Sequence, residues 1–593
     1  MAYQAEMGYQ YDDRAFGSEA RPAEKKSLWA SRAATVVGGV ACFALGMSAT
    51  QLTSMASSME ADKQAVYSAE SGDGPTDPHA AAWLAVDEAV QPWIAKETSK
   101  ADASEYPHIF LSLIDDQGKA DMGYGNDGLD QLAEATPFMD LLADDGIKLD
   151  KYYSQQLCTP SRSALLSGYY PIHTGMQHDV IQPESMFGMP AGHKLMPSFL
   201  KEFAGYRTHM IGKWHLGFAK KAMLPTSRGF DRFFGYCLGS SDYWLHQSPE
   251  WVPGVPSTDR ATGAEPPTTG GMGHDLWDGA TPLPRTPETE NVHSADLFVA
   301  RATETFATAP RDKPLFLYYA SQTPHAHFIG APPRHVAAAA AMGFAAGDPR
   351  ADVAALVAAL DEQVGNVVDG VRASRGWENT VLWFMGDNGP EPGTGASSWP
   401  LRGAKRTLFE GGVREPSFVY APGRVAPGAS SAPVHVIDVA PTLLGLAGSA
   451  VPRGVDGVDA RPGWRARAED AATPRTLVLA YDAVNGCGAA VRGRFKYVLN
   501  AACGSLSPDY AGWEGDERAP FDACATRECL FDLERDPEER ADVAAAHPGA
   551  LDALRAALLA AEAASVPSLV EITPGDDRAA PDRHGGSWVS WLD

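Results

Sequence analysis

Three short apolar runs each stop at a knot of polar residues: HIFLSLIDD (108–116), PLFLYYAS (314–321) and NTVLWFMGDNG (379–389). A run of this kind is a buried strand. Asp115 and Asp116 close the first, TPHAH follows the second, and Asp387 and Asn388 close the third. Between the last two lies DVAALVAALDEQVGNVVDGVRASRG (352–376). Its apolar residues recur at three and four, and Gly376 fits a C-terminal stop, so this segment is a helix. Strand–helix–strand order predicts an α/β fold with a large, mostly parallel central sheet flanked by helices. Ligands of such sheets sit beyond the carboxyl ends of the strands. All three polar clusters fall there, which predicts a single shared site.

The rest of the chain is organised around that core. With 593 residues, 44% hydrophobic and 21% charged, it has material for a sizeable interior and is too apolar for wholesale disorder. No short repeat period points to a solenoid or propeller. Residues 106–455 are expected to form the main domain, with a Pro-, Gly- and Thr-rich surface loop at 250–290. After about residue 455 the texture changes. TLVLAYDA (476–483), VRGRFKYVLN (491–500) and CLFDLERDPEER (529–540) read as strands, followed by a helix near 548–563. They predict a small C-terminal α+β domain over 456–570 with an antiparallel sheet, and a tail at 571–593 that is poorly ordered or draped on the surface.

The N-terminus carries a separate signal. Residues 33–59 hold no charge, and Arg14, Arg21, Lys25, Lys26 and Arg32 precede them. This pattern predicts a cytoplasmic segment (1–32), a transmembrane signal anchor (33–56) and a stalk (57–105), with the remainder across the membrane as in a type II single-pass protein. The alternatives are a cleaved signal, giving a secreted or lysosome-like protein, and a soluble helix. Four of the seven cysteines, Cys487, Cys503, Cys524 and Cys529, fall in one C-terminal stretch. They allow three pairings, and bridges there suit an oxidising compartment. No Asn-x-Ser/Thr sequon is present.

The net charge is −26, from 49 Lys and Arg against 75 Asp and Glu. A nucleic-acid binder needs a basic face, so this balance argues against one. An anionic substrate would require a few basic residues to reverse the field locally.

LCTPSRSALLSG (157–168) is the motif that carries chemistry. Pro160 suits a first helical turn, and Cys158 precedes it, where exposed N–H groups favour negative charge. Arg162 is one turn further on. Spacing alone leaves open a buried cysteine beside a structural arginine. The C-T-P-S-R…LLSG run resembles the signature of the type I, formylglycine-dependent sulfatases, and GKWHLG (212–217) resembles that family's second signature. TPFMDLLADDGIKLDKYYSQQLCTPSRSALLSGYYPIHTGMQH, LPTSRGFDRFFGYCLGSSDYW, SSWPLRGAKRTLFEGGVREP and LFDLERDPEER extend the resemblance over 107–565, within the family to sulfatases of the arylsulfatase B (N-acetylgalactosamine-4-sulfatase) type.

The resemblance implies an alkaline-phosphatase-like fold and hydrolysis of a sulfate ester on a sulfated sugar or polysaccharide. It implies conversion of Cys158 to formylglycine by a formylglycine-generating enzyme, a gem-diol nucleophile and a covalent sulfate intermediate. Asp115, Asp116, Asp387 and Asn388, completed by the modified Cys158, match the family's ligands for one Ca²⁺, with Mg²⁺ as the alternative. These hard oxygen donors suit such ions. Arg162, Lys213, His215, His325 and Lys405 match the sulfate-site residues, and would supply the positive field that the net charge lacks. Asp121 is expected to hold the loop rather than the metal. Trp399 and Arg402 line the pocket or simply pack, Cys237 is a buried thiol, and His327 has no assigned role. Two other readings compete. One is a phosphoester or phosphonate hydrolase of the same superfamily, and the other an inactive protein that binds sulfated glycans.

Overall fold

The computed structural model describes residues 106–593 apart from 127, 250–271, 326–329, 465–474, 504–523, 525–526 and 573–575. The expected anchor and stalk, most of the 250–290 loop and His327 therefore lie outside the described residues. No helix among the described residues is long and apolar enough to cross a membrane.

The core is a mixed ten-stranded sheet. Its centre is five parallel strands in the spatial order Thr380–Gly386, His108–Ile114, Leu315–Ala320, Arg207–Lys213, Arg232–Tyr236. Beyond Thr380–Gly386 the sheet turns antiparallel through Ser417–Tyr420. The three apolar runs are the three adjacent central strands, and each is buried along its whole length. A strand covered on both faces cannot alternate apolar with polar residues, which is why these runs are continuous.

Both faces are covered. Ile109, Leu111, Leu113, Val381, Trp383 and Met385 face one core, with Leu165, Leu200 and Leu443 from the helices Cys158–Ser167, Met196–Ala204 and Val439–Leu446. Phe110, Ile114, Leu382 and Phe384 face the other, with Met139, Phe298 and Val364 from the helices Pro137–Asp144, Ser294–Thr308 and Pro349–Arg375. The long helix starts a few residues earlier than the apolar pattern indicates. Pro349 is its first residue, and the Asp348 side chain caps it by accepting the Arg350 N–H at 2.9 Å.

The C-terminal residues form a four-stranded antiparallel sheet of Thr476–Asp482, Cys487–Arg492, Phe495–Leu499 and Glu528–Asp532. The run 491–500, which reads as one strand, is instead the tip and second arm of a hairpin that turns at Gly493, where φ is 60°. The helix Pro548–Ala564 packs Leu554 and Leu558 on this sheet. Of the three cysteine pairings, Cys487–Cys503 and Cys524–Cys529 are the ones formed. Leu408, Phe409 and Val413 share one core with Leu477, Val498 and Phe531, so the small sheet is packed against residues 408–413 of the main domain.

The final segment is anchored at Trp588. Trp588 is 1% exposed and lies edge-on to Phe218, with its Nε1–H donating to Ser248 O at 3.2 Å. Trp588 is anchored in the main core, while most described residues of the segment stay at least partly exposed.

Candidate active site

Strand register brings the polar clusters together. Ile114 pairs with Gly386, so Asp115 and Asp116 leave the sheet beside Asp387 and Asn388. Lys213 ends the strand Arg207–Lys213. The preceding Gly212 has φ 101°, and a Cβ there would fall 1.9 Å from Ala320 O, so only glycine lets these strands close up. His215, at φ 54°, turns back from the sheet two residues later. His325 follows the strand Leu315–Ala320 through Thr323 and Pro324. Cys158 and Arg162 arrive on the helix Cys158–Ser167, every residue of which is buried, and Gly168 stops it at φ 76°.

These groups form one contact network. Cys158 Sγ lies 3.6 Å from Asp115 Oδ1. Arg162 donates through Nε (3.1 Å) and Nη2 (2.7 Å) to Asp387 Oδ2, and its Nη2 is 3.4 Å from Asp115 Oδ1. Lys213 Nζ bonds both Asp115 oxygens, at 3.0 and 2.7 Å. Lys405 Nζ bonds Asp116 Oδ2 at 2.6 Å, and His325 Nε2 lies 3.4 Å from the same oxygen. Asn388 Nδ2 donates to Asp116 Oδ1 at 2.7 Å. Asp116 itself stands at φ 59° and donates its N–H to Asp387 Oδ1 at 3.2 Å. His215 is joined through its backbone: its carbonyl accepts from Thr159 Oγ1 at 3.1 Å.

Protonation follows from burial and these neighbours. Burial pushes the Cys158 thiol up to about 12, so at neutral pH it is a thiol and a poor nucleophile as it stands. Burial, then Lys213 and Arg162, hold His215 well below its ordinary value, so its imidazole is neutral. Its Nε2 faces Ile181 O at 3.1 Å. A carbonyl only accepts, so Nε2 carries the proton and Nδ1 the lone pair. Nδ1 is buried with no hydrogen-bond partner among the described residues, as suits a proton acceptor. Burial would lower the Lys405 ammonium, but Asp116 foremost outweighs it and raises it, so Lys405 is charged.

The donor set fits a hard divalent cation. Asp115, Asp116, Cys158 and His325 place ligand atoms within 4.8 Å of one another. Asn388 Oδ1 is buried and has no partner among the described residues, an orphan acceptor beside three carboxylates. Burial and then the neighbouring Asp115 charge push Asp387 up, a crowding of negative charge that a cation relieves.

The other sequence-singled residues separate clearly. Asp121 is wholly buried and accepts from the backbone N–H groups of Gly118 (2.9 Å) and Ser397 (3.1 Å) and from Arg350, so it holds the loop. Arg402 is 1% exposed and stacks 3.7 Å over the Phe409 ring, so it packs rather than lines a pocket. Cys237 is a buried free thiol. Glu391 escaped the sequence reading. It lies 3.3 Å from Lys405 Nζ and 2.5 Å from Arg406 Nη1, and the only hint was an acid in the Pro- and Gly-rich run after Asn388.

The chain belongs to the sulfatase family, which it matches over residues 107–449. It is accordingly a sulfatase, an enzyme of sulfate ester hydrolysis. It is 33% identical over 524 residues to arylsulfatase J of Mus musculus, covering 84% of this chain and 82% of that one. Arylsulfatase A of Homo sapiens is 32% identical over 76% of this chain and 86% of its own. The crystal structure of Ps i-CgsB in complex with k-i-k-neocarrahexaose aligns with a TM-score of 0.63 at 25% identity, over 78% of this chain and 94% of that one. PsFucS1 sulfatase from Pseudoalteromonas sp. shares the fold, with a TM-score of 0.56 at 20% identity and 83% and 95% coverage.

Proposed function

We propose that this sulfatase removes sulfate from a sulfated glycan, with 4-sulfated N-acetylgalactosamine the first substrate to test. The observation that carries the proposal is the gathering of Arg162, Lys213, His325 and Lys405 on the carboxylates around Cys158, with His215 beside them, in a chain of net charge −26. The carbohydrate class is supported by the match to N-acetylgalactosamine-6-sulfatase of Homo sapiens, 30% identical over 61% of this chain and 66% of that one. The 4-sulfate rests on the arylsulfatase B-like sequence stretches.

Asp115, Asp116, Asp387 and the Asn388 oxygen would hold Ca²⁺, or Mg²⁺ in its place. The cation would supply Lewis-acid polarisation of a sulfate oxygen. Cys158, converted to formylglycine, would supply the hydroxyl of a hydrated aldehyde as nucleophile. The chain's remaining groups do the positioning. Arg162, fixed by two bonds to Asp387, is a rigid positive charge at the foot of the nucleophile. Lys405 and His325 bind the sulfate oxygens and protonate the departing sugar oxygen. His215, neutral and with a free Nδ1, accepts the proton whose loss releases sulfate. Donors fixed before reaction stabilise a growing negative charge without reorganisation, and each is worth about 10²–10³ in rate.

The segment 33–56 is proposed to direct the catalytic part out of the cytoplasm. The two disulfides support an oxidising destination.

The test is mass spectrometry of the proteolytic peptide containing Cys158, from protein made with the maturation enzyme present, coupled to sulfate release from N-acetylgalactosamine 4-sulfate. Aldehyde with release supports the proposal. An unmodified thiol, with a control substrate of the same maturation enzyme converted, sinks the mechanism.

A further inference from the structure

Two of the sequence stretches singled out above, SSWPLRGAKRTLFEGGVREP and LFDLERDPEER, meet in the interior. Lys496 of the small sheet places Nζ 2.8 Å from Glu410 Oε1 and 3.0 Å from Glu539 Oε1, and all three side chains are 0% exposed. Glu539 Oε2 accepts the Glu410 N–H at 2.6 Å, and Tyr153 Oη donates to Glu410 Oε2 at 3.2 Å. The Glu539 carbonyl accepts from Arg402 Nη1 at 3.2 Å. Glu539 reaches this position in the left-handed region, at φ 58°, which a non-glycine residue adopts only when its surroundings fix it. Leu408 N–H also donates to Ala501 O at 2.8 Å.

The segment from Arg402 to Glu410 is thus gripped on both flanks by C-terminal residues, and Lys405 lies between the grips. On its other side, the N–H groups of Lys405 and Arg406 donate to Pro390 O (3.0 Å) and Gln156 O (2.9 Å). Apolar side chains of the same volume would join the small sheet to this segment at least as well as a buried ion cluster. What fixed charges and directed hydrogen bonds add is a defined height and angle for the segment they hold. We infer that Glu539, remote in sequence and outside the active site, is a positioning residue: acting through Glu410 and Arg402 it sets where Lys405 stands, and thereby the affinity of the site for a sulfate group. This rests on the reading of Lys405 as a sulfate-binding residue.

The test is a calorimetric titration of inorganic sulfate into the full-length matured protein and its Glu539→Ala, Lys405→Ala and doubly substituted variants, with kcat and KM for a sulfated sugar alongside. Wild type binds sulfate, and Glu539→Ala weakens binding about tenfold, with KM rising in step. In the Lys405→Ala background, Glu539→Ala causes no further loss. Glu539→Gln keeps an acceptor oxygen for the Glu410 N–H and recovers most of the affinity. Glu539→Asp, which retains the charge and shortens the reach, replaces the alanine variant in the same cycle if that variant does not fold. Equal binding by wild type and Glu539→Ala overturns the inference alone, as do losses that multiply in the double variant. Wild type that binds no sulfate overturns the reading of the site and this inference with it.

Discussion

Lys213 and Asp115 form a wholly buried ion pair, reaching each other across the end of the intervening strand Leu315–Ala320. Removing the ammonium leaves a carboxylate in the interior next to two others. Lys213→Met is therefore expected to cost about 3–5 kcal/mol of stability as well as sulfate release. Denaturant unfolding measures the first effect. An unchanged midpoint would mean that Arg162, already 3.4 Å from Asp115, offsets its charge without Lys213.

Lys405 is held by Asp116 and Glu391, and Asp116 retains Asn388 and His325 if the lysine is lost. Lys405→Ala is expected to fold, and to lower kcat/KM by about 10²–10³. Steady-state rates on a sulfated sugar decide this, and wild-type rates in the variant would remove Lys405 from the site.

The orphan oxygen of Asn388 predicts a metal-linked stability. Calcium added to chelator-treated protein is expected to raise the melting temperature with the logarithm of its concentration. Asn388→Ala should need more calcium for the same rise. A melting temperature indifferent to calcium in both proteins would argue against a cation at these carboxylates.

Asp361 accepts the N–H groups of Phe138 (3.2 Å) and Met139 (2.8 Å) at the start of the helix Pro137–Asp144. Burial outweighs these bonds and pushes the carboxyl up to about 8, above its unfolded value of about 4. Between those values the folded chain binds more protons than the unfolded one, so this group makes stability fall as pH rises. Asp361→Asn removes the proton exchange. The unfolding free energy of the variant minus that of wild type should grow from about pH 4 to about pH 8. A flat difference would show that the carboxyl stays ionised inside.

Trp588 fills space between Phe218 and Ser248 in the main core. Trp588→Ala is expected to cost about 3–5 kcal/mol. Thermal unfolding reads it directly, and a loss within experimental error would return the chain end to the surface.

Much of this was legible because the central strands are apolar on both faces and stop abruptly. Asp115, Asp116, Asp387 and Asn388 lie within two residues of a strand end, so finding the strands found them, whereas Lys213 ends a strand that was not read and was found through the GKWHLG resemblance. Glu539 was not legible. Its partner Glu410 is 129 residues away, and no local pattern marks a contact over that distance. The 487–499 hairpin was hidden because a turn of Gly493 and Arg494 leaves no gap in the surrounding texture. The WVSWLD ending is too short to show a period, so nothing in it distinguishes a docked tryptophan from a loose one. The antiparallel strand Ser417–Tyr420 is only four residues long, too short to stand out in the sequence beside the parallel strands.

The complete burial of the helix Cys158–Ser167 also bears on the order of events in the protein's making. Cys158 is 2% exposed, and no residue around it on that helix reaches solvent. An enzyme that remodels this side chain needs the surrounding peptide laid out in its own cleft, which the finished fold denies. If Cys158 is converted to formylglycine as proposed, the conversion belongs to the nascent chain. Since Trp588 helps to complete the main core, the interval for it would close only once this segment has been delivered, and a variant that folds faster would emerge less fully converted.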